Sequence, residues 1–156
     1  MGITLTGFAD EIHPNFEKQL AVASATGVRA IEIRGVNGRG IQTYTPREAE
    51  GLQRQLAEKG MHVSSVGSPI GKISIEDAFE PHLEKLKHTC EIAHTMDVDF
   101  IRMFSFYIPE GKDPGEYKGK VFEQTGRMVD LAKAQGIVLL HENEKGIYGD
   151  VASRCL

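Results

Sequence analysis

Gly136-Ile-Val-Leu-Leu-His-Glu-Asn-Glu-Lys-Gly-Ile-Tyr-Gly-Asp150 is a short apolar run that follows a glycine and ends in a burst of polar and charged residues. A continuous hydrophobic run of this length reads as a fully buried parallel strand. Polar groups gathered at the carboxyl end of such a strand mark the ligand face of a parallel sheet. Gly136 is placed to stop a preceding helix and Asp150 to cap a following one. Helix, glycine, apolar strand and polar exit form a unit that can be sought upstream.

The unit recurs. Ile3–Phe8 alternates with the strand period and leads to the polar corner Asp10-Glu11. His13-Pro14-Asn15 starts a helix, with Pro14 pre-set for the first helical position and Phe16, Leu20, Ala21 and Ala23 on its buried side; Thr26-Gly27 ends it. Val28–Arg34 is a second strand, followed by the loop Gly35–Gly40. Thr45-Pro46-Arg47-Glu48 sets a hydroxyl, a proline and a carboxylate where a helix start needs them, and that helix runs to Lys59-Gly60. His62–Gly67 is the third strand, with Ser68–Gly71 as its exit. Ser74 and Asp77 flank the next helix start, and Phe79, Leu83, Leu86, Cys90 and Ala93 follow at helical spacing. Val98–Ser105 is the fourth strand and Phe106–Gly111 its loop; Asp113-Pro114-Gly115-Glu116 launches a helix that closes at Gln135-Gly136.

Strictly alternating strands and helices imply a parallel sheet with right-handed crossovers, either an open doubly wound sheet or a barrel. Side-chain parity helps to choose. Glu32 and Arg34 share one face of the second strand and Ile31 and Ile33 the other; Ser64 and Ser68 share a face with Val66; Arg102 lies opposite Ile101 and Met103. An open sheet covered by helices on both sides is apolar on both, whereas a barrel interior can hold polar groups in its upper layers. The expectation is an α/β chain, a (β/α) TIM-barrel-type repeat of about four and a half units forming one partial barrel over residues 1–156. A closed barrel needs eight units and roughly 250 residues. No Gly-rich turn follows the first strand, so a nucleotide-binding fold loses its main signal.

Composition excludes several classes. The chain is 40% hydrophobic and 26% charged, with no apolar run long enough to span a membrane and no leader-like N-terminus, so a cytoplasmic protein without a membrane partner is expected. Cys90 and Cys155 have no metal-like spacing and are expected to stay reduced. A net charge of −4 with scattered basic residues argues against a nucleic-acid partner. A compact anion is still allowed, since a phosphate needs only an Arg or two or a helix start.

The candidate residues sit at strand ends. If Val138, Leu140 and Glu142 share the interior face, the Glu142 carboxylate lies at the barrel mouth, where a hard oxygen ligand suits a divalent cation; the alternative is a solvated strand end. His141 has the opposite parity and is expected to be packed or hydrogen-bonded. Glu32 and Arg34 form either a substrate-binding pair or an internal ion pair, because a buried charged pair is costly unless something uses it; Arg102 is similar. Ser68 stands in an exit loop able to approach a ligand closely. Asn143 and Glu144 begin a loop where a turn is the ordinary role. Lys145 attracts an anion or is simply solvated. Phe104, Phe106 and Tyr107 wall a pocket or pack in the core. His82, His88 and His94, six residues apart on one helix, are expected at the surface.

These residues resemble the sugar phosphate isomerase/epimerase group of xylose-isomerase-like TIM barrels. The likeness lies in Gly7-Phe-Ala-Asp-Glu11, in Ile31-Glu-Ile-Arg-Gly35 and above all in Gly136–Glu144, and it extends over the whole chain. The resemblance implies interconversion of aldoses and ketoses or epimerisation of keto-sugars, with a divalent metal, Mn²⁺, Mg²⁺ or Zn²⁺, holding substrate oxygens while a carboxylate moves a proton through an enediolate. It makes Glu142 a metal ligand and catalytic group. Glu32, Arg34, Ser68, Arg102 and Lys145 are then expected to meet a small sugar or sugar phosphate. The family's other ligands, an Asp, a His and a second Glu, belong to strands after the fifth. The chain is therefore expected to be the N-terminal part of a longer protein, with the metal weakly held or absent and the part itself inactive or nearly so. A non-catalytic half-barrel that binds a sugar, or self-associates to cover its open edges, is the alternative. A repair nuclease resembling endonuclease IV would need several early His ligands and a basic groove, and His13 and His62 are poorly placed for it.

Overall fold

Local chemistry sets the helix starts in the structure, a computed structural model that describes residues 3–155. The Asn15 carboxamide accepts from the Lys18 N–H (3.1 Å) and caps α1 (Phe16–Ala25), so Pro14 lies ahead of the cap and not in the helix. Gln19 takes the buried place expected of Ala21, because its amide donates to the carbonyls of His13 (2.8 Å) and Gly35 (2.9 Å). Thr45 and Glu48 close a full capping box at α2 (Pro46–Glu58). α3 (Phe79–Thr95) starts after Ala78, since the Asp77 carboxylate is used by the Ser74 N–H (3.0 Å) in a turn that precedes the helix. Asp113 caps α4 (Pro114–Ala134), and a single turn, α5 (Ala152–Cys155), follows the last strand.

Four strands, β1 (Ala30–Ile33), β4 (His62–Gly67), β5 (Phe100–Met103) and β6 (Val138–His141), form one parallel sheet in the order β1-β4-β5-β6. The loop after β1 folds as an antiparallel hairpin of β2 (Gly35–Val36) and β3 (Arg39–Gly40), turned by Asn37 and Gly38 at φ 49° and 76°. Two consecutive left-handed residues match the twist of a two-residue hairpin.

Three expectations change. Ile3–Phe8 is not a regular strand: it makes one parallel bridge, Phe8 to Glu32, and Ile3 and Leu5 are 94% and 69% exposed, with no second neighbour to hold a ladder. β6 is an edge strand and not a fully buried one, Val138 and Leu140 being 50% and 42% exposed. A bulge between Ile31 and Glu32 puts Ser65, not Ser64 or Val66, in register with Glu32, and Val66 turns to the helix side beside Ile33 and Ile101. One irregular step reverses the parity of everything after it.

The helices cover one face of the sheet, where Ile33, Val66, Ile101 and Met103 meet Leu20, Leu56, Leu86, Ile92 and Met128 in a single buried core. The other face carries Glu32, Arg102, Phe100, Val138 and Leu140, and no closed barrel forms among the described residues. Cys90 is buried and Cys155 exposed, both free. No helix among the described residues is long and apolar enough to cross a membrane.

Past their formal ends, the strands continue as paired loops. Phe104 N–H donates to the Ile70 carbonyl (2.7 Å), Phe106 N–H to Gly71 (2.8 Å), Tyr107 N–H to Ile73 (2.8 Å), and Ile75 N–H to Tyr107 (3.0 Å). Gly71 permits this: at φ 87°, a Cβ there would sit 1.9 Å from the Phe104 carbonyl oxygen. Gly71→Ala is expected to destabilise the fold by at least about 2 kcal/mol through clash and left-handed strain. Gly51→Ala, in open space within α2, is expected to stabilise it by about 0.5–1 kcal/mol. Urea unfolding of the two variants checks both signs.

Candidate active site at the carboxyl end of the sheet

A cleft of about 500 Å³ opens at the carboxyl ends of the strands, between the hairpin and the exits of β4, β5 and β6. Asp10, Arg34, Ser68, Lys72, Arg102, Glu142 and Glu144 are among its lining residues. Each side chain arrives by a separate route.

Arg34, one residue past β1, turns toward the corner after the N-terminal segment. Its Nε donates to Asp10 (2.8 Å) and its Nη2 to Glu11 (2.5 Å), while the guanidinium lies 4.4 Å from the Phe8 ring centroid. Hydrogen bonding to Asp10 and then Glu11 outweighs partial burial and holds Arg34 firmly charged. Gly35 allows this approach, since a Cβ there would lie 2.6 Å from the Asp10 carboxylate. Glu32 and Arg34 are thus not partners of each other in a direct pair. Glu32 faces Arg102, whose Nε lies 3.8 Å from Glu32 Oε1 and 3.2 Å from Glu142 Oε2. The Arg102 side chain is only 11% exposed and rests 4.5 Å from the centroid of Phe104 and 5.4 Å from that of Phe8. Burial raises the Glu32 carboxyl above its ordinary range, against the Ser65 hydrogen bond and the Arg102 charge that lower it.

Ser68 is buried and spent: its hydroxyl donates to the Arg102 carbonyl (2.6 Å) and accepts from the Ile70 N–H (3.2 Å). It offers backbone, more than a free hydroxyl, to the cleft. Lys145 is exposed and is not among the lining residues; the lysine in the cleft is Lys72, whose Nζ donates to Glu144 (2.7 Å) and lies 4.1 Å from the Phe104 centroid. His141 points to the helix side as its parity requires, with Nε2 3.0 Å from the Ser105 hydroxyl, and burial lowers its pKa. It stays part-exposed because β6 is an edge.

The sequence reading passed over Lys72, gave Glu144 the ordinary role of a loop start, and treated Asp10 only as a polar corner. Lys72 and Glu144 lie on loops and Asp10 in a single 3₁₀ turn, Ala9–Glu11, where no periodicity signals direction. His82 was expected at the surface and is 4% exposed. Its Nε2 accepts from the Gly71 N–H (2.8 Å), fixing the loop that presents Lys72. Phe104 and Phe106 are fully buried, and Phe106 packs edge-on against Phe79 at 6.2 Å.

The donor set does not by itself fit a divalent metal. No three His, Cys, Asp or Glu side chains gather as ligands among the described residues. Glu142 is faced by the Arg102 cation, which also separates it from Glu32. A cation placed at Glu142 would meet a like charge before a second carboxylate.

Parallel βα units with a polar cleft at the strands' carboxyl ends define part of a (β/α) barrel with a candidate ligand site. The family described as xylose isomerase-like TIM barrel matches residues 20–152, and the chain belongs to it. Among solved structures, the chain is similar to the probable 3-DHS dehydratase AsbF of Bacillus anthracis, described as involved in petrobactin synthesis (TM-score 0.77, 18% identity, 98% of this chain and 57% of that one). A D-tagatose 3-epimerase-like protein aligns with TM-score 0.74, 17% identity, 96% of this chain and 58% of that one. A xylose isomerase-like TIM barrel protein from Mycobacterium smegmatis, in complex with magnesium, aligns with TM-score 0.73, 15% identity, 97% of this chain and 58% of that one. At these identities the likeness is one of fold. The chain spans less than two thirds of the length of each of these structures. No curated protein matches the sequence.

The buried His82 makes the cleft's support pH-dependent. Burial, and then Lys85, lower its pKa from 6.5 to about 4, with Asp77 opposing. The unfolded chain takes up this proton near pH 6.5 and the folded one only near 4. The contribution is therefore complete above about pH 6.5 and lost as the pH falls towards 4. It amounts to about 3 kcal/mol. Chemical denaturation of wild type and His82→Gln at pH 7, 5.5 and 4.5 is expected to show a shallower acid loss in the variant, whose side-chain carbonyl still accepts from Gly71.

Proposed function

We propose that this chain supplies the N-terminal part of the site of a sugar isomerase or epimerase, in which a carboxylate moves a proton on the carbon beside a carbonyl. The observation that carries the reading is Glu142 at the carboxyl end of β6, opening into the cleft 3.2 Å from the Arg102 guanidinium. A base and a cation at that separation match the two needs of enolisation. The carboxylate takes the C–H proton, the electron pair moves to the carbonyl oxygen, and the cation holds the oxyanion that forms. Return of the proton to the neighbouring carbon, while the adjacent hydroxyl gives up its proton and the first oxygen takes one, isomerises the sugar; epimerisation would need a second proton donor on the opposite face of the same carbon.

Glu32 faces the same Arg102 guanidinium at 3.8 Å, a charge contact without a hydrogen bond. The neighbour from Mycobacterium smegmatis, solved in complex with magnesium, supports metal dependence for a whole barrel. The groups present here do not make that site, so the metal requires donors from other strands. Lys145, exposed beside the cleft, belongs to the reading only as a long-range attraction for a sugar phosphate.

Solvent exchange of the substrate α-proton in D₂O, followed by NMR over a panel of keto-sugars with and without added Mn²⁺, Mg²⁺ or Zn²⁺, tests the proposal. With the remaining barrel strands joined to this chain, exchange is expected, and Glu142→Gln is expected to slow it by about 10²–10⁴-fold. No exchange on any substrate would remove the reading.

A second reading has its own observation. The sheet's open face exposes Phe100, Val138 and Leu140 at 42%, 50% and 42%, beside the unpaired edge of β6. Such a surface favours a half-barrel that pairs with a second copy. Sedimentation of the wild type is then expected to give a dimer that Leu140→Lys dissociates; a wild-type monomer at high protein concentration sinks this reading.

A further inference from the structure

Lys72 and Arg102 share one aromatic ring. The ammonium lies 4.1 Å and the guanidinium 4.5 Å from the Phe104 centroid, and both cations line the cleft. Each is countered from a single loop, Arg102 by Glu142 (3.2 Å) and Lys72 by Glu144 (2.7 Å). The two sides of these pairs are not equally fixed. Phe104 is fully buried, and its N–H is tied to the Ile70 carbonyl, two residues before Lys72. Glu144 lies beyond β6, outside any strand, with its side chain 36% exposed.

A structural clasp between the loops is the plain alternative for Lys72 and Glu144. The loops do not need one. The β4 exit that carries Lys72 is already paired with residues 104–107, and that stretch is tied in turn to the β6 exit, where Tyr107 bridges Ile147 and the Tyr148 N–H donates to the Phe106 carbonyl (2.9 Å). An ammonium also has three donors, and the only hydrogen bond it makes among the described residues is to Glu144. A cation with spare donors, countered by a part-exposed loop carboxylate inside a ligand-sized cleft, has the form of a site held by an internal stand-in.

We propose that Lys72 receives an anionic substituent of the substrate, a carboxylate or a phosphate, and that this group displaces the Glu144 carboxylate. The proposal rests on reading the cleft as a sugar site and adds the substrate class: an acidic or phosphorylated sugar is selected over a neutral one. Exchange of one oxyanion for another keeps the local charge balanced. Glu144 acts as a competitor that excludes neutral ligands, which offer Lys72 nothing in return.

Calorimetric titration of the 156-residue chain with inorganic phosphate, D-gluconate and D-fructose tests this, alongside NMR of the side-chain resonances of Lys72, whose ammonium lies over the Phe104 ring. At least one of the two anions is expected to bind more tightly than fructose and to shift those resonances; whichever binds names the acid. Glu144→Gln is expected to tighten anion binding by up to about five-fold, the worth of a part-exposed pair. Lys72→Met is expected to weaken it by about tenfold or more, the worth of one charge-assisted hydrogen bond, and Lys72→Arg to restore most of it. Equal binding of fructose and both anions, unchanged or weaker anion binding in Glu144→Gln, or full binding in Lys72→Met would each overturn the proposal. Those results would leave α-proton exchange on neutral keto-sugars untouched. Absent exchange with the binding pattern intact would instead remove the isomerase reading alone.

Discussion

The backbone of Gly71 lies against that of Phe104 with no room for a side chain between them, and the cleft depends on that contact. It lets the parallel pairing of β4 and β5 run on into their exit loops through residues 70–75 and 104–107. Loops tied in this way behave as extensions of the sheet, so Ser68, Lys72, Arg102 and Phe104 are presented by hydrogen-bonded backbone. His82 adds a side-chain acceptor for the Gly71 N–H from α3, which couples the packed helix layer to the site.

Charge in the cleft is arranged for position more than for stability. Arg34 with Asp10, Lys72 with Glu144 and Arg102 with Glu142 all lie where water still reaches at least one partner, and such pairs contribute little net stability. The Arg102 side chain is the most enclosed of the three cations, and its enclosure is compensated by two carboxylates and two aromatic rings. Removing one partner from such a group leaves an uncompensated charge, a larger penalty than the pair's own net worth. The consequence is a cluster that is tightly positioned and easily perturbed by an incoming ligand.

The chain belongs to the xylose isomerase-like TIM barrel family, spans 57–58% of the solved structures compared, and has a sheet covered by helices on one face. Barrel strands are ordinarily covered by helices outside and by one another inside. Here the outside is covered, while Phe100, Val138 and Leu140 on the inside remain part-exposed. On that face Glu142 meets the Arg102 guanidinium at 3.2 Å, and no three His, Cys, Asp or Glu side chains gather among the described residues.

The order of βα units, the boundaries of β4 and α2, and the face shared by Glu32 and Arg34 were determined by sequence alone, because apolar runs, capping residues and helix-stopping glycines act within a few positions. The apolar run before Glu142 showed where the polar mouth lies but not that Val138 and Leu140 are part-exposed, since burial depends on which strands stand alongside. Parity failed at the bulge opposite Glu32, a pairing event between two strands that neither strand records by itself. Lys72 took the place expected of Lys145, and His82 moved from surface to core, because loop direction and helix rotation are set by packing partners distant in the chain. Strand and helix were local decisions; which charges meet in the cleft was decided only by tertiary hydrogen bonds and close backbone contact.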